Sequence, residues 1–400
     1  MKKKMKKYIL SVVVMVIGAS LFTSCLNDSD NNNNQPIVIP QTTGLYVVNN
    51  GQWNKNNGSL TYFDYMTMQA QQLFSHVGEL GDTPNDAYIK GDTIFIVVST
   101  DNMIVAYNKK TNSVIDRIST TDEMGEAEGF NPRHIIGYGD NIFFTTYGGY
   151  VARLDSRTLT VTDQAKVGSA PEGLTLGGTQ DALELYVCNS DYGYGNASIS
   201  KIPLASNGNM GKAETITNEN IRNPQDIVAV GDVLYYLDWG SYTEDYSKQL
   251  NAGLYSYANG TVRKLIENAT GWSVGMVYYG DYVVGYNFVT FNDPYGNESK
   301  PTYSMYNTYT GGITQLTLKG DEGYEIFSPA AIGVDPLNGN IVIASRSEDP
   351  DNEGHASYAL PGYANIYTSN GDYIKGSNFK TGIEPHAIGF TIGTYIIGTK

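Results

Sequence analysis

Cysteine is scarce in this sequence, which contains only Cys25 and Cys188 in 400 residues. Cys25 lies at the end of an N-terminal leader and is expected to carry lipid, so Cys188 would have no partner for an intrachain disulfide. Stability must then come from packing. Cys188 lies in the apolar run Leu183–Asn189, which has the pattern of a buried strand, and we interpret it as a small core residue rather than a nucleophile.

Basic residues are also in the minority. The chain has 26 Lys and Arg against 41 Asp and Glu, a formal net charge of −15 at pH 7. Five of the lysines lie in the first seven residues, so removal of the leader would leave the mature protein more acidic. We therefore expect neither nucleic acid nor an anionic lipid surface as a partner.

The common catalytic and metal motifs are missing. The sequence has no H-E-x-x-H, no paired C-x-x-C, no G-x-S-x-G and no phosphate-binding glycine loop. Asp349, Asp351 and Glu353 could offer oxygen ligands to Ca²⁺, although such acidic runs are more often solvated loops. His134 beside Arg133 leaves open acid–base chemistry of the lyase or lactonase type. We predict a protein that is not an enzyme and requires no cofactor, with that chemistry as an alternative.

A repeated proline is the most informative feature that is present. It recurs at Pro84, Pro132, Pro171, Pro224, Pro329 and Pro385. In four of these units a glycine follows seven residues later: Gly91, Gly139, Gly178 and Gly231. Trp272 takes the place of a proline in one further unit. The seven units then start 39 to 57 residues apart, and such a period with short strands predicts an all-β, seven-bladed β-propeller.

The first unit shows the predicted strands A to D. They are Ala87–Lys90, Ile94–Val98, Met103–Tyr107 and Val114–Ile118, with Gly91 and Asp92 turning between the first two. The second unit repeats the last three as Ile142–Thr146, Tyr150–Leu154 and Val161–Val167. A single four-stranded blade cannot bury both faces, so we expect neighbouring blades to stack in a closed ring.

The two ends of the chain predict how the propeller closes. The last unit has a first strand, Pro385–Phe390, and at most one more strand at Tyr395–Ile397. Near the other end, Leu45–Asn49, Leu60–Asp64 and Gln69–Phe74 resemble strands B, C and D with no strand A before them. We predict that the N- and C-terminal strands pair to complete a seventh blade. Whether Tyr395–Ile397 pairs inside that blade is left open.

Residues 1–24 have the pattern of a lipoprotein signal peptide, in which lysines precede an apolar stretch that ends in Thr23-Ser24-Cys25. An ordinary secretory signal or a single span is the alternative, but the stretch is short for a membrane helix. We predict a lipidated Cys25, a flexible polar tether over residues 25–41 and the propeller over residues 42–400. Asp28 and Asp30 resemble the surface-export signal of Bacteroidota lipoproteins. The expected setting is the outer face of an outer membrane, with a monomer attached by lipid alone.

Aromatic residues concentrate where the loops are expected. Of 32 tyrosines, many lie beside Gly- and Asn-rich connections, as do Tyr147, Tyr192 and Tyr194. The alternative for about half of them is that they are simply exposed strand or loop residues. The D-to-A and B-to-C connections of a propeller emerge on one face, which the three tryptophans and two histidines share. The candidate ligand-binding residues are Trp53, Arg133, His134, Glu172, Gln225, Asp226, Trp239, Trp272 and His386.

This mixture of aromatic and hydrogen-bonding groups, without a cluster of one charge, suits a bulky and largely neutral ligand. Structural roles are the alternative for each residue. A Trp at a blade corner can cap the core between blades, and a His after a proline can hydrogen-bond a neighbouring loop.

Three segments resemble a known family. Gly44–Gly51, Ser59–Asp64 and Gly382–Pro385 are similar to segments of the YncE-like seven-bladed propeller lipoproteins of gut Bacteroidota. That group includes surface lipoproteins that capture cobalamin and cap a TonB-dependent outer-membrane transporter. The resemblance implies a corrinoid bound on the loop-rich face and a transporter as partner. Binding of a glycan or of a protein partner are the alternatives.

Overall fold

The computed structural model describes residues 37–179, 181–245, 249–279, 282–293 and 300–397. The predicted signal peptide, Cys25 and most of the predicted tether lie outside these residues. Two compact units divide the described chain. Unit 1 consists of Ile118–Thr270 and Asn102–Ile104, and unit 2 of residues 37–101, 105–117 and 271–397.

Unit 1 contains three four-stranded antiparallel sheets, named sheets 2 to 4 by their order in the chain. Sheet 2 consists of β8 (Pro132–Tyr138), β9 (Asn141–Thr146), β10 (Tyr150–Asp155) and β11 (Thr160–Lys166). Sheet 3 consists of β12 (Pro171–Thr179), β13 (Ala182–Asn189), β14 (Ser198–Pro203) and β15 (Glu214–Ile216). Sheet 4 consists of β16 (Pro224–Val230), β17 (Val233–Asp238), β20 (Gly253–Ala258) and β21 (Thr261–Glu267).

Unit 2 contains three more sheets and most of a fourth. Sheet 1 consists of β4 (Pro84–Lys90), β5 (Thr93–Val98), β6 (Met103–Asn108) and β7 (Ser113–Ser119). Sheet 5 consists of β22 (Gly271–Tyr279), β23 (Tyr282–Asn292), β24 (Thr302–Asn307) and β25 (Ile313–Leu316). Sheet 6 consists of β26 (Ser328–Val334), β27 (Ile341–Arg346), β30 (Pro361–Tyr367) and β31 (Phe379–Ile383).

Sheet 7 is built from both ends of the chain, in the order β3 (Gln69–Leu73), β2 (Ser59–Asp64), β1 (Ile37–Asn49) and β32 (Pro385–Ile397). The first and last of the described strands pair along their whole length, from Ile37 with Ile397 to Asn49 with Pro385. The predicted pairing of the two termini is therefore confirmed. Tyr395–Ile397 pairs inside this sheet with Ile37–Ile39, so β1 already begins before residue 42.

The connections between strands contain a few short additional elements. Two small hairpins are formed by β18 (Ser241–Tyr242) with β19 (Gln249–Leu250) and by β28 (Glu348–Asp349) with β29 (Asn352–Ala356). The helical elements are α1 (Thr120–Met124) and a 3₁₀ turn at Asp191–Gly193. In the described part of the chain, no helix has the length and hydrophobicity needed to span a bilayer.

The core lies between neighbouring sheets within each unit. In unit 1, side chains of sheets 2 and 3 such as Phe143, Leu174 and Val187 form one cluster, and sheets 3 and 4 form another. In unit 2, one hydrophobic cluster lies between sheets 5 and 6 and another between sheets 6 and 7. Middle strands such as β5 are buried throughout, whereas the outer strand β7 is mostly exposed. These are the sheets of a seven-bladed β-propeller, as the proline period predicts.

Cys188 belongs to the cluster between sheets 3 and 4 and is completely buried. Burial raises the pKa of its thiol well above the ordinary value, and the charges of Asp226, Asp238 and Glu172 add to the effect. The prediction of a structural, unreactive cysteine is confirmed.

The repeated proline has a defined structural role. In five sheets it pairs with the last residue of strand B, as Pro132 does with Thr146 and Pro171 with Asn189, and the register shifts immediately afterwards. Trp272 pairs with Thr290, two residues before the end of β23, and no register shift directly follows it. The shift leaves one or two residues per sheet outside the regular pairing, and such bulges turn side chains in new directions.

The residue before the proline is constrained as well. Thr83, Asn131, Ala170 and Glu384 have φ between 47° and 59°, a region that non-glycine residues rarely occupy. Each carbonyl accepts a hydrogen bond from the first N–H after strand B of its sheet, at 2.8–3.0 Å. This bond ties the D-to-A connection to the B-to-C connection, and the positions of the loop side chains follow from it.

Candidate functional site

Four of the predicted binding residues lie at register shifts in unit 1; one of them, Gln225, falls in the shift between Pro224 and Asp226 of sheet 4. Arg133 and His134 fall in the shift between Pro132 and Ile135, and Glu172 falls in the shift between Pro171 and Leu174. Because β8 and β12 belong to neighbouring sheets that pack against each other, these two shifts bring the side chains together. The shifted geometry turns them toward one another instead of along the strands.

Glu172 is the centre of this group, and its side chain is only 4% exposed. Arg133 donates from Nε to Oε2 at 3.0 Å, and Nε2 of His134 lies 3.6 Å from the same oxygen. The Tyr147 hydroxyl donates to Oε1. We call Arg133, His134, Tyr147 and Glu172 the Glu172 cluster.

The charges in the Glu172 cluster are fixed. Burial alone would raise the pKa of Glu172, but Arg133, His134 and the Tyr147 hydroxyl together lower it to about 2. Burial opposes the charge of Arg133, yet Glu172 and Tyr147 raise its pKa overall. Burial also raises the pKa of Tyr147, with Glu172 as the next cause. Near neutral pH the cluster is an ion pair capped by a protonated phenol.

A buried threonine links the backbones of sheets 2 and 3 beside the cluster. The Thr145 hydroxyl accepts from the backbone N–H of His134 at 3.1 Å and donates to the carbonyl of Glu172 at 2.9 Å. Thr145 is completely buried near the end of β9. The backbone that carries the cluster is thus fixed independently of the charged side chains.

A row of tyrosines leads from the cluster to the surface. The guanidinium of Arg133 lies 4.6 Å from the centre of the Tyr147 ring. The rings of Tyr147 and Tyr192 meet edge-on with their centres 5.2 Å apart, and the ring centres of Tyr192 and Tyr194 are 6.3 Å apart. Tyr192 is 53% exposed and Tyr194 is 80% exposed. Ring faces and polar groups are therefore offered to solvent directly above a buried ion pair.

The other predicted residues of unit 1 lie around sheet 4. The amide of Gln225 donates to Oδ1 of Asn223 at 2.6 Å, and Oδ1 of Asp226 accepts from the N–H of Ile227 at 2.8 Å. Trp239 is partly exposed, and its Nε1 donates to the carbonyl of Thr270 at 2.9 Å. None of these three residues takes part in the contacts of Glu172 described above.

Unit 2 holds the remaining predicted residues. Trp53 is 74% exposed, as a ligand contact would require. Trp272 is only 8% exposed and packs against Phe288 at 5.2 Å, so its ring belongs to the core and offers little surface to a ligand. His386 is half-buried and lies in the register shift after Pro385.

A second group of charged residues in unit 2 was not predicted from the sequence. Nε of Arg346 lies 2.8 and 2.9 Å from the two carboxylate oxygens of Glu384, whose side chain is 16% exposed. The same guanidinium lies 5.1 Å from the Tyr358 ring centre and 3.9 Å from the carboxylate of Asp293. The Ser328 hydroxyl donates to Asp293 at 2.9 Å. We call Asp293, Ser328, Arg346, Tyr358 and Glu384 the Glu384 cluster.

Sequence signals for this second cluster exist but are weak. Arg346 is a charged residue at the end of an apolar strand, and Glu384 directly precedes one of the repeated prolines. Both positions are close in the repeat to those of the Glu172 cluster, but they are not the same positions.

The predicted calcium ligands lie in the hairpin of β28 and β29. Oδ1 of Asp349 accepts from the N–H of Asp351 at 3.0 Å, and Oε1 of Glu348 accepts from the N–H of Gly354 at 2.7 Å. Within the described ranges, no group of three or more His, Cys, Asp or Glu side chains is arranged to hold a metal ion. A calcium site at Asp349, Asp351 and Glu353 stays a prediction.

Comparison with known proteins places the fold. No protein-family model matches the chain, and no curated protein sequence matches it significantly. Among solved structures, a candidate 6-phosphogluconolactonase from Bacteroides uniformis is similar with a TM-score of 0.57 and 13% identity, covering 87% of this chain and 100% of that one. Another such protein from Bacteroides fragilis has a TM-score of 0.54 and 14% identity, covering 87% and 98%.

The hydrazine synthase of Kuenenia stuttgartiensis is also similar, with a TM-score of 0.53 and 13% identity over 79% of this chain and 96% of that one. At this level of identity the similarity establishes the fold alone, because propellers carry many unrelated functions. The β-propeller prediction is thereby confirmed.

Proposed function

We propose that this protein is a non-enzymatic binding protein that captures a bulky, largely neutral ligand on the loop connections of unit 1. The observation that carries the proposal is the continuous path from the buried Glu172 ion pair through Tyr147 to the exposed rings of Tyr192 and Tyr194. Aromatic rings supply contact area, and a rigid polar base holds them in place before the ligand arrives.

The electrostatics favour binding over catalysis. A general base works best with a pKa near the working pH, and Glu172, with a pKa of about 2, is a poor proton acceptor at pH 7. The raised pKa of Tyr147 keeps its proton in the hydrogen bond to Glu172. The Cys188 thiol is buried and protonated, so it offers no nucleophile.

A corrinoid is the leading ligand. It is large, its ring has flat faces, and its rim carries amides, which fits exposed tyrosines beside fixed hydrogen-bonding groups. The resemblance to YncE-like Bacteroidota lipoproteins supports the same ligand. A neutral glycan and a protein partner are the alternatives, since both use exposed aromatic rings as anchors.

The proposed setting is the outer face of an outer membrane, where a lipidated Cys25 anchors the protein beside a TonB-dependent transporter. Replacement of Cys25 by Ser should release the protein from the membrane fraction, because the cysteine that would be acylated is missing. Protease treatment of intact cells should remove the wild-type protein. Protection of the wild-type protein in intact cells would contradict the surface location.

The ligand proposal is tested by titrating cobalamin against the mature protein and following heat and tyrosine or tryptophan fluorescence. Tyr192→Ala and Tyr194→Ala should each weaken binding by roughly 1–3 kcal/mol, as expected for aromatic anchors. Tyr358→Ala in unit 2 is a matched control for an exposed tyrosine beside an Arg–Glu pair. Equal losses in all three variants, or no saturable binding of cobalamin, would reject the corrinoid.

Lactone hydrolysis is the second candidate, because two of the similar structures are candidate 6-phosphogluconolactonases and His134 lies beside a carboxylate in a polar site. The assay is hydrolysis of 6-phosphogluconolactone above its spontaneous rate. We expect none. Turnover by the wild-type protein that is lost in His134→Gln would overturn the binding proposal.

A further inference from the structure

A groove in unit 1 lies apart from the contacts of the Glu172 cluster. Its volume is about 590 Å³, which is within the usual range for ligand sites. Three connections line it: the loop after β13, the loop before β16 and the start of the loop after β17. Its polar lining residues are Asn196, Asn218, Glu219, Arg222 and Ser241.

Opposite charges line this groove without neutralising each other. Among the described residues, Glu219 forms no ion pair, and Arg222 donates from Nη1 only to the amide oxygen of Asn220, at 3.2 Å. Both side chains are accessible to solvent. A carboxylate, a guanidinium, two amides and a hydroxyl thus line one groove, and the buried Asp238 carboxylate also interacts electrostatically with Arg222.

The walls of the groove are held in place by buried contacts. Asp238 is almost completely buried. Its carboxylate accepts hydrogen bonds from the backbone N–H groups of Arg222, Asn223 and Gly240 at 2.7–2.9 Å. The Tyr236 hydroxyl donates to the carbonyl of Asn220 at 3.1 Å. The loop that carries Glu219 and Arg222 is therefore braced before any ligand binds, which lowers the entropic cost of binding.

Two glycines among the lining residues leave the backbone open to a ligand. Gly193 and Gly195 have positive φ and no side chain, so a ligand can approach the backbone closely at these residues. Tyr194 directly precedes Gly195, and Trp239 lies two residues before Ser241. Both rings are exposed, but neither lines the groove, so its recognition groups are the polar side chains and the open backbone at the two glycines.

We propose that this groove binds a neutral, hydroxyl-rich ligand, namely a sugar residue of a glycan. Carboxylate and guanidinium groups can each form paired hydrogen bonds with adjacent hydroxyls, one accepting and the other donating. An anionic ligand would meet the Glu219 carboxylate and a cation would meet Arg222, so a neutral polyhydroxyl compound fits both. The proposal adds a second site to the proposed function and does not depend on which ligand the tyrosines bind.

The test is calorimetric titration of the mature protein with neutral malto-, xylo-, manno- and galacto-oligosaccharides. We expect at least one series to bind saturably. Glu219→Gln and Arg222→Met should each weaken that binding at least tenfold. Glu214→Gln and Arg263→Met, which change exposed charges on outer strands of the same unit, should leave it unchanged.

Thermal melting of Glu219→Gln and of both control variants should match the wild type, because these residues lie outside the core clusters. Arg222→Met also removes a charge that acts on the buried Asp238 carboxylate, so its loss of binding is read together with that of Glu219→Gln. The inference is rejected if no neutral oligosaccharide binds, or if binding survives both groove variants. It is also rejected if uronic acids or free amino acids bind the groove in preference. Intact cobalamin binding in a protein that binds no saccharide would reject this inference alone and leave the proposed function standing.

Discussion

The Glu172 cluster and the Glu384 cluster contain the same three kinds of side chain in different arrangements. Each has an arginine paired with a glutamate and lying over a tyrosine ring. In unit 1 the tyrosine also donates its hydroxyl to the carboxylate. In unit 2 the arginine instead gains a second carboxylate, Asp293, and the hydroxyl of Ser328.

The chain reaches these two arrangements from different points of its repeat. Arg133 and Glu172 each follow a repeated proline within a register shift. Arg346 ends strand β27, and Glu384 precedes Pro385 with φ of 52°. Similar local chemistry therefore does not require equivalent repeat positions, because the junction between D-to-A and B-to-C connections brings several positions close together.

The difference in carboxylate environment has energetic consequences. The Glu172 cluster contains one carboxylate, to which Arg133 donates through Nε. Arg346 lies near two acidic groups, and burial raises the pKa of one of them, Asp293, although Ser328 and Arg346 oppose that rise. The unit 1 pair should thus be more sensitive to the loss of one partner than the unit 2 pair.

Deletion of Gly382–Lys400 should have the largest effect, since it removes β32 and Glu384 together. β1 would lose its partner along its whole length and expose an unpaired edge. We expect a low soluble yield and loss of cooperative thermal melting. A truncated protein that melts as sharply and at the same temperature as the full chain would contradict the terminal pairing.

Glu172→Gln should come next. The buried Arg133 would lose the carboxylate to which its Nε donates, and breaking a buried pair in this way costs about 3–5 kcal/mol. Chemical denaturation followed by circular dichroism measures the change. The matched variant Glu384→Gln should cost less, about 1–3 kcal/mol, because Asp293 and Ser328 still face Arg346. Equal costs would show that the second carboxylate does not compensate.

Acid should affect the clusters through Glu172. Its pKa is lowered on folding from an ordinary 4.5 to about 2, so its ionisation stabilises the fold fully above about pH 4.5 and this contribution is lost as the pH falls toward 2. The free energy of unfolding of the wild type should therefore fall over this window. In Glu172→Gln, the part of this decrease in the free energy of unfolding that comes from Glu172 should be absent. A variant whose pH profile matches that of the wild type would contradict the role of Glu172.

The smallest effect separates the two tyrosines. Tyr147→Phe removes the hydrogen bond to a buried carboxylate and should cost about 1.5–3 kcal/mol. Tyr358→Phe keeps the ring over Arg346 and should change stability by less than about 0.5 kcal/mol, as is usual for an exposed residue. Denaturation midpoints of the two variants provide the measurement. A larger loss in Tyr358→Phe would show that its hydroxyl has a structural role in unit 2.

The prolines and glycines made the fold predictable. They mark the start of strand A and the turn to strand B, where Gly91, Gly139 and Gly231 have φ of 57–60° as a tight turn requires. Alternation and apolar runs then place the strands that were predicted to within three residues, except at β1 and β32, which extend eight and seven residues beyond the predicted Leu45–Asn49 and Pro385–Phe390. The pairing of β1 with β32 followed from counting strands at the two ends.

The site was predictable only in part. Arg133, His134 and Glu172 were grouped because they follow repeated prolines, and the register shifts do bring them together. Trp272 takes the place of the proline itself, no shift directly follows it, and its ring packs in the core. Arg346, Glu219 and Arg222 were missed because their positions depend on loop conformations set by tertiary hydrogen bonds such as those of Asp238, which leave no periodic pattern.

The pairing of β1 with β32 also decides how the molecule bears mechanical load. On a lipid-anchored chain, any pull from the membrane enters the fold at Ile37, along the axis of β1. That strand is flanked by β2 on one side and β32 on the other, so the pull shears two ladders lengthwise and loads many hydrogen bonds at once. Detachment of β1 would require sliding the whole strand, so this end of the described chain should resist a pull along the strand axis.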